Sequence, residues 1–533
     1  MDLGYDAAKF TKQETSMDPN DGSSRHRPAY HITPAVGWMG DPNGLIYHDG
    51  LYHVMYQHNP DTVDFLGNDT WRKMEKVPWG PTANPGVPKG IWGLYWGNAH
   101  WGHAVSRDLV HWEHWPVAIS PAAGGYDAGG CFSGVTVIND GVPTIVYSSI
   151  TKTPASGIRS LRAQSIATSS DGMRTWTKYP GNPVLADVPD TSGLMHAWHD
   201  PHVWQEQDTW YMAVGCGFQN VAGVILLYRS PDLVHWEYMH PLLVSTDVEK
   251  QGDRWLVPDL FPLGDKHVLL YFASTPSGEV FTAYVVGNYV DNCLIPEAQG
   301  TLGPRPAPSA MATRTLCDAR GRRIAFSQLG EECGPDAKRN AGVNGALSLP
   351  WELTLSDDLV LELAPVEEVC SAGAPHWSFG RQKLTHDEPF CPEGLAGDAL
   401  EIVAEIDLGS ANEIALKVLA APDGEEETVV LFNARERRLS LDRSRATLSR
   451  EHCEGAVHDT LDLAGQGPLR LHVFVDRTIV EAFANRRGCV FGRIPPPHQD
   501  STNVSLVARG GEATLLQLDA WRKDSVPIVD LRK

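Results

Sequence analysis

Two carboxylates in similar local sequences are the residues of this 533-residue chain best placed to do chemistry. Asp41 and Asp200 each precede a proline, and each follows a tryptophan, Trp38 or Trp198, by two or three residues. Two carboxylates in one pocket are the arrangement used for glycoside hydrolysis, and aromatic faces suit the apolar C–H faces of sugar rings. An aspartate before a proline is also a common turn opener, so either residue alone is compatible with a purely structural role.

A repeated strand–turn–strand unit predicts that the two carboxylates converge. In the first copy, the run Leu45–Tyr47, a His-Asp-Gly turn and the run Leu51–Gln57 are typical of a β-hairpin. A looser fifth copy runs from Asp318 to Phe326. The aligned motifs at the mouths of the four regular copies are Gly40-Asp41-Pro42, Cys131-Phe132-Ser133, His199-Asp200-Pro201 and Leu256-Val257-Pro258.

A second repeat has a different phase and a period near 62 residues. The segments Ser106–Glu113 and Ser230–Glu237 are nearly identical, and Ser169–Trp176 is a weaker relative between them. Five copies therefore fit between about residues 31 and 350. Radial repetition of small antiparallel sheets predicts a five-bladed β-propeller, in which the mouths of the innermost strands meet around one axis.

The remaining composition predicts an all-β protein with a second domain. Short β-branched and aromatic runs separated by turn residues dominate, and alternating segments between residues 400 and 518 predict a C-terminal β-sandwich. The expected organisation is a polar N-terminal tail (1–28), the propeller (29–350), a linker (351–370) and the sandwich (371–533). An insertion at about residues 61–95 is long enough to favour a functional loop.

Charge and cysteine content narrow the class of protein. The net charge of −22 disfavours nucleic acid and anionic membranes as partners. Nine cysteines without a CxxC pair favour free thiols in a reducing compartment, so no metal or other cofactor is predicted. The N-terminus lacks the apolar core of a signal peptide and no later run is long enough to span a bilayer, which favours a cytoplasmic location. The sandwich is compatible with packing on the propeller, with homo-oligomer formation or with extending a sugar site.

The motifs resemble those of glycoside hydrolase family 32, which contains invertases, inulinases, levanases and related fructosyltransferases. Trp38-Met-Gly-Asp-Pro-Asn-Gly44 is similar to the family's WMNDPNG signature, and Trp255-Leu-Val-Pro-Asp-Leu-Phe261 is similar to its WECPDLF motif. Further segments resemble family motifs in the same order, namely Met55–Pro60, Trp96–Asn98, Trp101–Ser106, Phe132–Gly134, Trp198–Pro201, Ser348–Leu355 and Val475–Ala484. The resemblance covers about residues 29–525 and implies a five-bladed propeller followed by a β-sandwich.

The resemblance also implies roles for individual residues. Asp41 is the implied nucleophile of a retaining mechanism, and Asp200 is implied to hold fructose hydroxyls and to stabilise an oxocarbenium-like transition state. The implied partner is a fructose-containing sugar. The positions expected to contact it are Gly40, Asn43, Gln57, Trp96, Phe132, Ser133 and Leu256.

Three positions depart from the family pattern. Gly40 stands where the family has Asn, His199 where it has Arg, and Leu256 where it has the Glu that protonates the leaving group. A leucine cannot donate a proton, and general acid catalysis typically contributes about 10²–10⁴-fold to the rate. The usual mechanism therefore lacks its proton donor.

Two explanations compete for these departures. In the first, another group supplies the proton; His199 is preferred because its unperturbed pKa is about 6.5, with Asp253 and Asp259 as weaker alternatives. A hydroxyl-binding or structural role for His199 stays open. In the second, the protein is an inactive sugar-binding member of the fold, a partner of an active relative or an interaction scaffold. The sequence favours a β-fructofuranosidase-type hydrolase acting on sucrose or fructans, with a fructosyltransferase or a sugar-binding protein as alternatives.

Overall fold

The computed structural model describes residues 23–60, 99–151, 162–186, 195–307, 312–330, 342–448, 455–461, 463, 467–495, 497–526 and 528–530. Within these ranges the chain is nearly all β, with one short α-helix, α1 (Val248–Gln251), and two 3₁₀ turns, Ser23–His26 and Glu367–Val369. Among the described residues, no helix has the length and apolar character needed to cross a membrane.

The first two blades are antiparallel sheets that follow the chain. Blade 1 contains β1 (Gly37–His48), β2 (Leu51–Asn59), β3 (His100–Ser106) and β4 (Trp112–Ile119). Blade 2 contains β5 (Gly130–Asn139), β6 (Val142–Ile150), β7 (Arg162–Thr168) and β8 (Thr177–Lys178). Blade 1 thus includes the hairpin predicted from the first repeat.

Blades 3 and 4 follow the same plan and are joined at one residue pair, Gly217 with Arg254. Blade 3 contains β9 (Met195–Glu206), β10 (Thr209–Phe218), β11 (Ala222–Ser230) and β12 (Glu237–Val244). Blade 4 contains β13 (Arg254–Leu263), β14 (Lys266–Ser274), β15 (Val280–Val290) and β16 (Cys293–Thr301).

The fifth blade corrects the predicted linker at 351–370. Its strands are β17 (Thr313–Cys317), β18 (Arg323–Leu329), β21 (Trp351–Leu355) and β22 (Leu361–Pro365), while β19 (Val343–Asn344) and β20 (Ala346–Leu347) pair with β1 and β18. Residues 351–365 are therefore the outer strands of a blade. The turn between β21 and β22, Ser356–Val360, repeats the Ser-x-Asp-Leu-Val motif without its His-Trp ending, and Leu359 has a φ of 61°, close to the 63° of Leu109. This shortened copy was overlooked in the sequence, so the repeat seemed to end early.

The five innermost strands close a ring around the axis. Strand β1 contacts β5, β5 contacts β9, β9 contacts β13, β13 contacts β17, and β17 returns to β1. The near-identical Ser-x-Asp-Leu-Val-His-Trp segments occupy the same place in blades 1 and 3, between the third and fourth strands. The five-bladed propeller predicted from the two repeats is confirmed.

A β-bulge interrupts the innermost strand in each of the first four blades. The regular pairing breaks between Met39 and Pro42, Cys131 and Gly134, His199 and His202, and Leu256 and Asp259. Bulges occur beside active sites because they re-aim side chains out of the regular pleat. The register differs by one residue from the sequence alignment, because Asp41 is the second residue of its bulge whereas Asp200 is the first. A second register shift in β1, between Asn43 and Ile46, adds one residue between the bulge and the hairpin turn. The sequence alignment, which follows the turn, is therefore displaced by one residue at the bulge.

The C-terminal domain is a sandwich of two antiparallel sheets around an aliphatic core. One sheet contains β23 (Trp377–Phe379), β24 (Gln382–Leu384), β25 (Ala399–Asp407), β30 (Leu469–Asp476), β31 (Ile479–Ala484), β32 (Gly488–Arg493) and β34 (Ala513–Arg522). The other contains β26 (Glu413–Ala420), β27 (Glu427–Asn433), β28 (Arg438–Arg445), β29 (Ala456–Thr460) and β33 (Asn503–Arg509). Residues such as Ile402, Leu416 and Val473 are fully buried between the sheets, as period-2 alternation requires.

The sandwich packs on the propeller through a shared apolar cluster. Trp351 of blade 5 lies against Phe483 and Phe491 of the sandwich, with ring centroids 6.2 and 5.1 Å apart. The last strand, β35 (Val529–Asp530), returns to pair with β4 of blade 1. Of the three roles that the sequence left open for the sandwich, packing on the propeller is therefore observed.

Candidate active site

Asp41 lies in the bulge of β1 and is held by a residue of the neighbouring blade. Its side chain is buried, and the Ser133 hydroxyl donates a hydrogen bond of 2.6 Å to Asp41 Oδ2. Burial and then the charge of Asp200 raise the pKa of Asp41 to about 7, while the Ser133 hydrogen bond and the charge of Arg314 oppose this rise. The carboxylate is therefore poised to change its ionisation near neutral pH.

Asp200 sits in the equivalent bulge of β9 in a strained backbone conformation. Its φ of 66° lies in the left-handed region, and its backbone N–H donates to Ser148 Oγ at 2.8 Å. Because its charge contributes to the raised pKa of Asp41, the two carboxylates act on one another across the pocket. The structure thus brings the two predicted carboxylates together.

His199 is paired with Asp200 through a short hydrogen bond. The His199 Nδ1 atom lies 2.7 Å from Asp200 Oδ2, and the ring meets Phe132 edge-on at 6.1 Å between centroids. Burial lowers the pKa of His199, and the charges of Arg162 and Arg254 lower it further, although Asp200 opposes them. The imidazole is therefore mainly neutral at pH 7, and the carboxylate fixes its orientation.

Polar side chains from blade 1 surround Ser133. Gln57 is buried, and its side-chain amide donates to Ser133 Oγ at 3.4 Å. With its amide oriented to satisfy its neighbours, Asn43 donates to Ser133 Oγ at 3.2 Å and accepts from the Gln57 backbone N–H at 3.2 Å. The Gln57 Oε1 atom has no hydrogen-bond partner among the described residues, so this acceptor is available to a ligand. The predicted contact residue Trp96 lies outside the described residues.

The structure gives a physical reason for the glycine at position 40. A Cβ atom placed on Gly40 would lie 2.5 Å from two ring carbons of Trp38, well inside van der Waals contact. The Trp38 indole therefore covers the backbone where the family carries an asparagine. The glycine and this position of the indole therefore go together, and an asparagine here requires the Trp38 ring to move.

Leu256 lies on β13 between the two weaker candidate proton donors, Asp253 and Asp259. Leu256 is partly buried and pairs with Phe272, and Val257 has a φ of 52°, which is unfavourable for a β-branched residue. The Asp253 carboxylate accepts a hydrogen bond from the Asn220 backbone N–H at 2.7 Å.

Asp259, the other alternative donor, lies farther along β13. Its Oδ2 atom accepts from the Thr315 backbone N–H at 2.7 Å, and its Oδ1 atom lies 3.3 Å from His202 Nδ1. Both weaker candidates are thus engaged by backbone N–H groups, whereas His199 is bonded directly to Asp200.

Two arginines of the site were missed from sequence. Arg314 of β17 is buried and donates to the carbonyl oxygens of Pro258, Asp200 and Pro201 at 2.7, 3.3 and 3.2 Å. It joins blades 3, 4 and 5 beneath the carboxylates. Arg254 is the first residue of β13, and its positive charge contributes to the lowered pKa of His199. The signal for Arg314 was weak, since it precedes the loosest copy of the repeat, Asp318–Phe326.

Among the described residues, one cluster of side chains of the types that bind metals lies outside the pocket. Ligand atoms of Cys370, Glu401 and His472 all lie within 4.8 Å of one another. Glu401 already accepts hydrogen bonds from His472 at 2.8 Å and from the Ser371 backbone N–H at 2.7 Å, and Lys523 Nζ lies 3.6 Å away. Because these contacts occupy the Glu401 carboxylate, we interpret the cluster as a structural ion-pair network.

Several curated relatives match nearly the whole chain. Raffinose invertase from Escherichia coli is 29% identical over 93% of this chain and 94% of its own length. Sucrose-6-phosphate hydrolase from Zymomonas mobilis is 29% identical over 94% of this chain and 92% of its own length.

Solved structures match over a similar extent. A β-fructofuranosidase from Bombyx mori is 25% identical with a TM-score of 0.71, and the match covers 96% of both chains. Fructan 1-exohydrolase IIa from Cichorium intybus is 21% identical with a TM-score of 0.76, over 95% of this chain and 99% of that chain. The second match shows the fold alone.

Family-level matching covers both domains. The N-terminal domain of glycosyl hydrolases family 32 matches residues 31–77 and 91–365, and the C-terminal domain of the same family matches residues 374–522. Together with the ring of blades and the sandwich, these matches place the chain in glycoside hydrolase family 32.

Proposed function

We propose that this protein is a retaining β-fructofuranosidase in which Asp41 is the nucleophile and the substrate is sucrose, a phosphorylated sucrose or a fructan. The observation that carries the proposal is the buried Asp41 carboxylate, held by Ser133 at 2.6 Å in the pocket that also contains Asp200. Relatives named as invertases, fructan hydrolases and sucrose-6-phosphate hydrolases support the substrate class.

The first step is attack on the anomeric carbon of the fructose ring. The ionised Asp41 carboxylate forms a bond to C2 while the bond between C2 and the leaving oxygen breaks. Asp200 accepts hydrogen bonds from fructose hydroxyls and stabilises the positive charge that develops on the ring. Water then attacks C2, releases Asp41 and completes the overall retention of configuration.

His199 is proposed to move the proton that the family's glutamate would move. Its Nδ1 atom is fixed on Asp200 at 2.7 Å, and the described residues offer no hydrogen-bond partner to its Nε2 atom. A histidine oriented by a carboxylate is a common arrangement for acid–base catalysis. Leu256 contributes an apolar wall beside the leaving group.

The two pKa shifts predict a narrow pH window. Asp41 must be ionised, which is favoured above its pKa of about 7. His199 must be protonated in the first step, which is favoured below its lowered pKa. The active form, with Asp41 ionised and His199 protonated, is therefore a minor fraction of the protein at any pH. The rate on an ordinary sugar glycoside is expected to be low and to peak just below neutral pH.

The test is fructose release from sucrose, inulin and levan between about pH 4 and pH 8, with Asp41→Asn measured alongside. The proposal predicts slow release that Asp41→Asn abolishes. Absence of release from a folded protein that binds fructose calorimetrically would instead identify a sugar-binding member of the family. Leu256, which cannot donate a proton, is the observation that favours this second candidate.

A further inference from the structure

Arg254 projects on the same side of β13 as the leucine that replaces the proton donor. The two residues are two apart on a strand, and such residues share a face. Both pair regularly with β14, Arg254 with Ser274 and Leu256 with Phe272, before the bulge begins. The guanidinium group is therefore placed beside the position where a leaving group would be protonated.

The Arg254 side chain is partly buried, and the described residues offer it no ion pair. Its Nε atom is inaccessible to solvent and has no hydrogen-bond partner among the described residues. Burial lowers the pKa of Arg254, and the one carboxylate that counters this is its sequence neighbour Asp253, which is itself bonded to the Asn220 backbone. A partly buried guanidinium without an ion pair is suited to bind an anionic ligand, because its donors match the oxygens of a phosphate or carboxylate.

Arg254 belongs electrostatically to the catalytic pocket. Its charge, with that of Arg162, acts on His199, which lies 2.7 Å from Asp200. Asp200 in turn acts on Asp41. The two carboxylates repel an anionic substrate, whereas the two arginines attract its anionic end. Positive charge thus lies on the leaving-group side of the pocket and negative charge on the fructose side.

We propose that the preferred donor of this enzyme is a β-D-fructofuranosyl phosphate whose phosphate leaving group is bound by Arg254. This inference rests on the proposed role of Asp41 as nucleophile. A phosphate monoester keeps one proton of its own below about pH 6, so this monoanionic donor releases HPO₄²⁻, a stable anion, and needs no separate proton donor. Leu256 is then compatible with rapid turnover, because the charge that develops on the leaving oxygen is stabilised by a guanidinium.

The two steps balance without a further reactant. In the first, an Asp41 oxygen bonds to C2, the bond from C2 to the phosphate oxygen breaks, and the monoanionic phosphate group leaves as HPO₄²⁻ with the electron pair. In the second, water bonds to C2, its proton passes to the neutral His199, and the bond from C2 to Asp41 breaks. The products are fructose and inorganic phosphate. The lowered pKa of His199 suits it to accept this proton as a base.

The experiment compares kcat/KM for three donors: fructose 2-phosphate, sucrose and β-D-fructofuranosyl fluoride, whose leaving group also needs no proton. We expect the phosphate donor to exceed sucrose by at least about 10²-fold, the lower range of a general acid's contribution. In Arg254→Met, the ratio of phosphate donor to fluoride should fall at least about tenfold, and Arg254→Lys, which retains the charge, should recover part of it. A structural role for Arg254 would lower both rates in parallel and leave the ratio unchanged.

The fluoride separates failure of this inference from failure of the proposed function. Turnover of the fluoride without preference for the phosphate donor, or a ratio unchanged in Arg254→Met, overturns the leaving-group assignment and leaves Asp41 as nucleophile. Absence of fluoride turnover in protein with an intact melting transition overturns both. Asp41→Asn is expected to abolish fluoride turnover whether or not phosphate is the preferred leaving group, because both outcomes keep Asp41 as the nucleophile.

Discussion

A buried histidine between the two domains predicts how the stability of this protein depends on pH. His31 is 3% exposed, and its Nδ1 and Nε2 atoms lie 2.7 Å from Asp476 Oδ2 and 3.0 Å from Glu481 Oε1. Glu481 also accepts hydrogen bonds from the Leu349 backbone and from the Trp351 indole, both at 2.9 Å. The imidazole therefore links the segment before blade 1 to the sandwich, next to blade 5.

The raised pKa of His31 determines how much the unfolding free energy changes with pH. Burial lowers the pKa of His31, but the hydrogen bonds to Asp476 and Glu481 and the charges of these carboxylates raise it to about 9, from 6.5. At about 1.36 kcal/mol per pH unit, this interval corresponds to about 3 kcal/mol of unfolding free energy. Since the pKa is raised in the folded state, the stabilisation is fully present below pH 6.5 and is lost as the pH rises to about 9.

The assay is urea unfolding at several pH values between about 6 and 9, followed by tryptophan fluorescence and circular dichroism. The unfolding free energy of the wild type should fall by about 3 kcal/mol across this range. His31→Gln should lose about 3–5 kcal/mol near pH 6, because two buried carboxylates lose their cation, and it should show a much flatter pH dependence.

A matched control is available on the surface. His235 Nδ1 also lies 2.7 Å from a carboxylate, that of Asp232, but its side chain is 80% exposed. Because exposed ion pairs contribute about 0–1 kcal/mol, His235→Gln should change neither the stability nor its pH dependence. Equal stability of the wild type at pH 6 and pH 9 would show that the ion pairs of His31 do not set the pH dependence. So would a His31→Gln variant whose unfolding free energy still falls with pH as steeply as that of the wild type.

Three further predictions concern the pocket. Gly40→Asn should lower the unfolding free energy by about 1–3 kcal/mol, because the new Cβ meets the Trp38 ring at 2.5 Å; thermal unfolding would show this, with Gly380→Asn, which has open space, as the control. His199→Ala should slow fructose release from sucrose about 10²–10⁴-fold and remove the alkaline limb of the pH–rate profile; an unchanged profile excludes His199 as the proton carrier. Arg314→Met should lower the rate below about pH 7, because loss of its charge raises the pKa of the nucleophile and so reduces the ionised fraction of Asp41, whereas Arg314→Lys should retain most of the wild-type profile.

Local sequence was sufficient to predict the architecture of this chain. Hairpins depend on alternation and turn residues within about twenty positions, so a repeated pattern such as that after Pro42, Pro201 and Pro258 identifies repeated blades. Once the blades are arranged radially, residues at the same place in each repeat must meet at the axis. This is why Asp41 and Asp200 could be assigned to one pocket from spacing alone.

Tertiary structure decided what those residues contact. The bond between His199 and Asp200, the indole over Gly40 and the link from Arg314 to three blades join positions far apart in sequence or depend on the exact register of a bulge. Residues 351–365 were likewise assigned to blade 5 by strand pairing, because their shortened turn motif, Ser356–Val360, is a weaker signal than the full copies in blades 1 and 3. Sequence repeats thus determined which elements form, whereas the ionisation of each side chain and its partners depend on burial and distance, which only the folded chain sets.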